Sequence, residues 1–304
     1  MYPNERRDME RKIQIKGGLT IKQCIFSQED IGFIINAYCN LHWGTPAIAE
    51  YFRVSPTTIN KLLRAHQVAI RDNKEKGQKY TCNEHYFDNI NSEHQAYWLG
   101  FLYADGYVSP GSSNKSSGVG VAINTNDREL LEQFKEDIGY TGPIHRYEQK
   151  TAYGTTSYCR IFILSDMLYN GLRSKGVVPR KSLILNFPSK KVVPVGLISH
   201  FVRGYLDGDG SITRHTSKEN MELSIKFCGT KQMLEGIKKV FQVEHLKLEK
   251  THSSKNKNNF QLTIGGNRQV YNILKKIYTD ATVFLKRKFE KAQILFNMKE
   301  GIYE

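Results

Sequence analysis

The chain has 304 residues, a formal net charge of +14 and a pI near 9.4. This length allows two or three domains, and a hydrophobic content of 39%, with 17 Tyr and 15 Phe, predicts a folded protein and not a disordered chain. The positive charge favours a polyanionic partner, with nucleic acid ahead of an anionic membrane surface.

The residue pattern of the N-terminal part predicts an arm over 1–20 and a small all-α domain over 21–70. Ser27 is placed to start a first helix that ends near Cys39. Thr45-Pro46 and Ser55-Pro56 start two further helices, because Pro is favoured at the first helical position. The short break at 53–55 is typical of a helix-turn-helix, although an ordinary three-helix packing unit has the same pattern. The third helix would then present polar side chains to DNA, namely Thr57, Thr58, Asn60, Lys61 and Arg64.

The segment 71–82 is polar and basic and is interpreted as a linker, either tracking phosphates or serving as a plain spacer. From residue 83 the pattern of helices and strands repeats. Each copy, 83–190 and 191–304, is predicted as helix, two strands, helix, two strands, helix, and the second copy adds a C-terminal helix. The fold class is therefore predicted as α+β, with two pseudo-symmetric αββαββα repeats.

Each copy opens with an apolar helix that ends in an acid followed by Gly. The two helix ends read WLGFLYADG over 98–106 and FVRGYLDGDG over 201–210. Small residues lie four apart in both, at Gly100/Ala104 and Gly204/Gly208, so that each helix has a stripe poor in Cβ atoms. Two such stripes can pack closely.

This packing would bring Asp105 and Asp209 together at two helix C-termini. Both the mutual repulsion and the helix dipole disfavour carboxylates there, and a divalent cation relieves both. Paired acids that hold hard cations are typical of phosphodiester hydrolysis.

The two stretches resemble the LAGLIDADG homing endonucleases, in the single-chain form with two motif copies. The resemblance covers about 83–299 and implies a saddle-shaped sheet surface that binds a long DNA duplex. It also implies a monomer with an internal pseudo-two-fold axis that cuts both DNA strands with two or more Mg²⁺ ions and leaves short 3′ overhangs. Asp105 and Asp209 match the metal-binding acids of that family.

A second pair of matching stretches follows the two copies, VPRK at 178–181 and LKRK at 285–288. The acid-to-lysine separations are 76 residues (105 to 181) and 79 residues (209 to 288). The resemblance implies that Lys181 and Lys288 are catalytic, stabilising negative charge on the phosphoryl group. The alternative is an exposed basic cluster. Asp127 and Lys231 fall at the end of the second strand of each copy, where the family often has a polar residue, but neither is assigned a role.

Alternating polar and apolar residues in the predicted strands indicate sheets with one polar face. Such a face is either simply solvated or laid along the DNA major groove. The strand and loop positions predicted to contact DNA are Lys115, Arg146, Arg160, Arg214, Lys226, Lys255, Lys257 and Gln261.

Two alternative functions stay open. One is a non-cleaving helix-turn-helix regulator on the same fold, and the other is an RNA maturase that assists intron splicing. Five scattered cysteines without a C-x-x-C pair indicate reduced thiols. No apolar run approaches membrane-spanning length, so we expect no membrane partner. The expected location is cytoplasmic, associated with the nucleoid, in a bacterial or phage context.

Overall fold

The computed structural model describes residues 26–41, 43–70, 79–113, 115–151, 154–216, 221–251 and 258–299. The chain divides into two units, Met1–Lys76 and Gly77–Glu304, which are described separately below. The predicted N-terminal arm, most of the predicted linker, and Lys255 and Lys257 lie outside the described residues.

The N-terminal unit contains three helices, α1 (Gln28–Cys39), α2 (Thr45–Tyr51) and α3 (Pro56–Ala65). Ser27 caps α1 through a capping box with Asp30, and Ser55 caps α3 by accepting from the Thr58 amide. Buried apolar side chains from all three helices share one core, and they are Ile34, Ala37, Tyr38, Ile48, Ala49, Phe52, Ile59 and Leu63. The turn between α2 and α3 contains Arg53 in the left-handed region, with φ 54°.

The second unit contains two copies of one helix-and-strand pattern. The first copy runs α4 (Glu93–Ala104), β1 (Gly106–Ser109), β2 (Gly118–Asn124), α5 (Arg128–Asp137), β3 (His145–Thr151), β4 (Gly154–Leu164) and α6 (Asp166–Ser174). The second runs α7 (Ile198–Asp209), β5 (Gly210–Thr216), β6 (Met221–Gly229), α8 (Lys231–Phe241), β7 (Glu249–Lys250), β8 (Phe260–Ile264) and α9 (Asn267–Tyr278). Helix α10 (Lys286–Lys299) follows. The predicted αββαββα order is confirmed for both copies.

Each copy forms a four-stranded antiparallel sheet, in the order β1-β2-β4-β3 and β5-β6-β8-β7. The sequence predicts a strand near 246–248, but this strand is wrong in position: β7 has only two residues, at 249–250. Leu246 and Leu248 instead pack against the hydrophobic core from an irregular segment, so their burial does not require a strand. None of the helices in the described residues is long and apolar enough to cross a membrane.

Each sheet buries one face against the helices. The opposite face is polar in the second repeat, whereas in the first repeat it carries the stacked rings of Tyr107 and Phe162 beside Arg160. Ile161 and Ile163 of β4 and Ile225 and Phe227 of β6 are buried. Arg160 and Lys226 alternate with these residues and point to the opposite face. The predicted alternation is therefore present in both sheets.

Helices α4 and α7 are buried on nearly all sides and contact each other along their small-residue stripes. A Cβ atom added to Gly100 would lie 2.0 Å from the Phe201 carbonyl oxygen, and one added to Gly204 would lie 2.0 Å from the Tyr97 carbonyl oxygen. A Cβ at Gly208 would lie 2.3 Å from the Ala104 Cβ. The backbones therefore approach too closely for any larger residue, as the sequence predicted.

We expect Gly100→Ala to destabilise the second unit by about 1–3 kcal/mol or more, because the new methyl group meets backbone atoms that cannot move aside. Urea denaturation followed by circular dichroism measures this change. Gly196→Ala is the matched control, since a Cβ there meets nothing within 4 Å. Equal stability of the two variants would contradict the close packing of α4 and α7.

Candidate active site between the two motif helices

The carboxylates of Asp105 and Asp209 lie at the C-terminal ends of α4 and α7. Asp105 is the C-cap residue of α4, and Asp209 is the last residue of α7. The following residues, Gly106 and Gly210, start strands β1 and β5 directly. A Cβ at Gly106 or Gly210 would lie 2.5 Å from a methyl carbon of Leu102 or Leu206, which explains the acid–Gly pair at this sharp turn.

The close approach of α4 and α7 also brings the two acids together. A Cβ at Gly208, one residue before Asp209, would lie 3.4 Å from Asp105 Oδ2. Both aspartates are reachable by solvent, but the packed helix ends around them exclude much of their hydration. Burial and the charge of Asp105 raise the pKa of Asp209 to about 6, and burial raises the pKa of Asp105 as well. The pair is therefore electrostatically strained in the protein alone.

Two buried lysines offset this negative charge, and they differ in the number of hydrogen bonds that they donate. Lys288 is 3% exposed, and its Nζ donates to the carbonyl oxygens of Leu206 (2.6 Å), Asp207 (2.7 Å) and Gly210 (2.7 Å). Lys181 is 7% exposed, and its Nζ makes one hydrogen bond to the described residues, to the Ala104 carbonyl oxygen at 2.6 Å. Each lysine thus caps the C-terminus of the motif helix of its own repeat.

The charges of the two lysines also reach across the repeats. Of the nearby cations, Lys181 lowers the pKa of Asp209 most, and Lys288 lowers the pKa of Asp105 most. Burial lowers the pKa of both lysines, to about 8 for Lys288. All four residues predicted as catalytic therefore lie in one electrostatic cluster between the repeats.

Sequence reasoning missed Asp207, which is 2% exposed and lies on the buried side of α7. Its Oδ2 accepts hydrogen bonds from the Tyr97 hydroxyl and the Leu285 amide, both at 2.8 Å. Burial raises its pKa to about 6. The signal for this residue was an acid in an otherwise apolar helix, which must find partners inside the protein.

A second buried group, Arg203, ties the two repeats together at the other end of the helix pair. Its guanidinium donates to the Val283 and Ile277 carbonyl oxygens and to Glu93 Oε1, the last at 2.6 Å. Glu93 stands in the first turn of α4 and also accepts from the Thr282 amide at 2.7 Å. This network fixes the relative position of α4, α7 and the segment before α10.

A cavity of about 200 Å³ opens beside Asp105. Its polar lining includes Asn124, Asp127 and Arg287 together with Asp207, whose Oδ1 has no hydrogen-bond partner among the described residues. Asp127 and Arg287 form an ion pair, with Arg287 Nε 3.1 Å from both carboxylate oxygens. Lys231, the position matched to Asp127 from the sequence, instead begins α8 and lines a different surface depression.

The structure separates the residues predicted to contact DNA into several locations. Arg160, Lys226 and Gln261 lie on the sheet faces turned away from the helices. Arg146 and Arg214 pair with the buried residues Cys159 and Leu223, so both point to the helix side of their sheets near strand ends. Lys115 is exposed in the segment between β1 and β2. In the N-terminal unit, α3 exposes Thr57, Lys61 and Arg64 and half-buries Thr58 and Asn60.

The family of the chain follows from a match that spans both repeats. The LAGLIDADG-like domain family matches residues 92–174 and again 197–278, which together make up more than half of the chain. The chain belongs to the LAGLIDADG family. Each match starts at a motif helix and ends in the last helix of the repeat, so the two copies of the LAGLIDADG domain coincide with the two structural repeats.

Several solved structures are similar in fold to this LAGLIDADG protein at low sequence identity. The LAGLIDADG homing endonuclease I-LtrWI, bound to target DNA, has 13% identity and a TM-score of 0.47 over 72% of this chain and 92% of its own. I-GzeII in complex with its DNA target has 12% identity and a TM-score of 0.48 over 70% and 92%. The meganuclease I-SmaMI bound to uncleavable DNA has 12% identity and a TM-score of 0.46 over 69% and 92%. No curated protein matches the sequence significantly.

The donor set at the helix ends fits Mg²⁺ in one particular way. In the part of the chain that the structure describes, no group of three or more His, Cys, Asp or Glu side chains is arranged to hold a metal ion. Two carboxylates alone make a poor cage, but Mg²⁺ is commonly held by one or two carboxylates with waters and substrate phosphates. Asp105 and Asp209 therefore fit a cation that binds together with a phosphodiester.

We expect Asp209→Asn to stabilise the metal-free protein at pH 7 by up to about 1 kcal/mol, a rise in Tm of roughly 2–4 °C, after allowance for solvent screening. The raised pKa means that ionising Asp209 costs stability, and this cost grows as the pH rises through about 6. Thermal unfolding in EDTA at pH 7 and at pH 4 measures the effect. A stabilisation of equal size at both pH values would contradict the electrostatic origin.

Lys288→Met should destabilise the second unit more than Lys181→Met does. The first change removes the hydrogen-bond donor from three carbonyl oxygens beside the buried Asp207, which costs about 3–5 kcal/mol. The second removes the donor from one carbonyl oxygen and costs about 1–3 kcal/mol. Urea denaturation of the two variants compares them directly, and the reverse order would show that Lys288 does not cap α7.

Proposed function

We propose that this LAGLIDADG protein is a site-specific DNA endonuclease that hydrolyses both strands of a long duplex with Mg²⁺ and leaves short 3′ overhangs. The observation that carries the proposal is the pair Asp105 and Asp209, held side by side at two helix C-termini by backbone contacts between α4 and α7. Burial disfavours the charged form of both carboxylates, and the charge of Asp105 adds to this strain at Asp209. A substrate-bound divalent cation would relieve the strain.

The acids and the lysines of the site would have different roles in such a reaction. Asp105 and Asp209 would hold the metal, which lowers the pKa of an attacking water and neutralises charge on the phosphate when it is bound. Lys181 keeps two N–H groups that have no partner among the described residues, so it can also donate to a phosphate or to a water beside Asp209. Lys288 has all three N–H groups on carbonyl oxygens and acts through its charge and through the position of α7.

The sheet faces turned away from the helices supply the proposed DNA-binding surface. Arg160 and Lys226 lie on these faces, one in each repeat, and arginine and lysine are suited to guanine edges and phosphates. The N-terminal unit presents Thr57, Lys61 and Arg64 on α3 and would add a second contact with DNA. This unit also keeps a binding-only regulator as a second candidate function, because such a regulator needs a DNA-binding domain and no chemistry.

Asp105→Asn and Asp209→Asn should each abolish double-strand cleavage and leave DNA binding within about a few-fold of the wild type. The reason is that each change removes a metal ligand and keeps the shape of the side chain. The measurement is cleavage of a randomised duplex library with Mg²⁺ and with Ca²⁺, followed by sequencing of the cut ends. The ends also show whether the overhangs are 3′.

Glu132→Gln is the matched control, since this acid is exposed on α5, pairs with Arg128 and does not line the cavity beside Asp105. Full double-strand cleavage by either aspartate variant would overturn the assignment of the site. Enrichment of one sequence by binding alone, without cutting in either metal, would establish the regulator instead. Binding should also weaken by about 0.9 log unit per phosphate contact for each log unit of salt.

A further inference from the structure

The two repeats differ at the junction between the second strand and the following helix. In the first repeat a 3₁₀ turn, Thr125–Asp127, separates β2 from α5. In the second repeat a single residue, Thr230, separates β6 from α8. The extra turn places the Asp127 carboxylate beside Asp105, where it lines the same cavity.

Asp127 holds Arg287 in a defined orientation. The Asp127 side chain is 10% exposed, and that of Arg287 is 57% exposed. The hydrogen bonds run from Nε alone, at 3.1 Å to each carboxylate oxygen. Within the described residues the two terminal nitrogens of Arg287 have no partner. An arginine fixed through Nε presents a planar fork of N–H donors, which matches two oxygens of a phosphate.

The symmetry-related pair, Arg180 of the first repeat and the head of α8 in the second, does not make this arrangement. Arg180 precedes Lys181 as Arg287 precedes Lys288, and it is exposed in the left-handed region with φ 56°. Asp127 is the N-cap residue of α5, and the N-cap residue of α8 is Thr230, which is fully buried and donates its hydroxyl to the Leu185 carbonyl oxygen. No acid stands at that position to orient Arg180.

We propose that Arg287, oriented by Asp127, binds a backbone phosphate of the DNA strand that is cleaved next to Asp105. The centre at Asp209 lacks this contact, so the two centres are chemically unequal. Arg287 contacts substrate in this scheme, and Asp127 is a positioning residue that acts through it. The proposal rests on the DNA-binding function proposed above and assigns a strand-specific role to one of its arginines.

The first arm of the test is DNA binding in EDTA with a duplex selected by the wild type. Arg287→Ala should reduce the slope of log K against log salt by about 0.9, the value for one phosphate contact. Arg287→Lys should keep the slope, because its charge still meets the phosphate. The control Arg128→Ala removes a nearby arginine that pairs with Glu132, and it should leave the slope unchanged. An unchanged slope in Arg287→Ala would overturn the phosphate contact.

The second arm measures the cleavage rate of each strand separately, on the same duplex labelled at one end and then at the other. Arg287→Ala should slow cleavage of one strand by at least about 10-fold and leave cleavage of the other unchanged. Arg287→Lys should not restore the rate, because lysine lacks the planar fork of N–H donors. Asp127→Asn should slow cleavage of the same strand, although the loss of a negative charge near the DNA would by itself favour DNA binding. The double variant D127N/R287A should be no slower than Arg287→Ala alone, because both changes remove one interaction.

The outcomes separate this inference from the proposed function. Equal slowing of both strands, or wild-type rates for both, would overturn the strand-specific role while the enzyme itself still cuts. Additive effects of D127N and R287A would show that Asp127 does not act through Arg287. If the wild type neither binds nor cuts any duplex, the proposed function fails first. If the wild type binds without cutting, the salt slope alone decides whether Arg287 contacts a phosphate.

Discussion

The contact between the backbones of α4 and α7 is the constraint on which the rest of the structure depends. Gly100 and Gly204 place each helix against a carbonyl oxygen of the other, with no room for a side chain. Close helix packing of this kind fixes both the distance and the register of the helices, because a small residue must stand at each point where the backbones touch. The position of Asp105 beside Asp209 follows from that register.

The charges buried around this contact are balanced within the protein, but only in part. Lys181 and Lys288 cap the helix C-termini, and Arg203 with Glu93 closes the other end of the helix pair. The pKa values of Asp105, Asp207 and Asp209 are all raised, so the charged forms of these acids remain disfavoured despite the nearby cations. A protein that tolerates such a cost at one place commonly uses that place for function.

The two repeats share a fold and differ in the chemistry of their centres. Lys288 is fully bonded to carbonyl oxygens, whereas Lys181 makes a single hydrogen bond to the described residues. Asp127 orients Arg287 on one side only. In a single chain, each repeat can change by itself, so a nearly symmetric framework can hold two unequal sites.

The sequence by itself determined the order of helices and strands, the small-residue stripes, and the pair of acids at the motif ends. These features depend on local periodicity and on residue size, which are readable within one segment. Only the tertiary structure decided that Arg146 and Arg214 point to the helix side, that Lys288 caps α7, and that Asp127 pairs with Arg287 across 160 residues. Such contacts depend on strand register and on packing between distant segments, which no local pattern encodes.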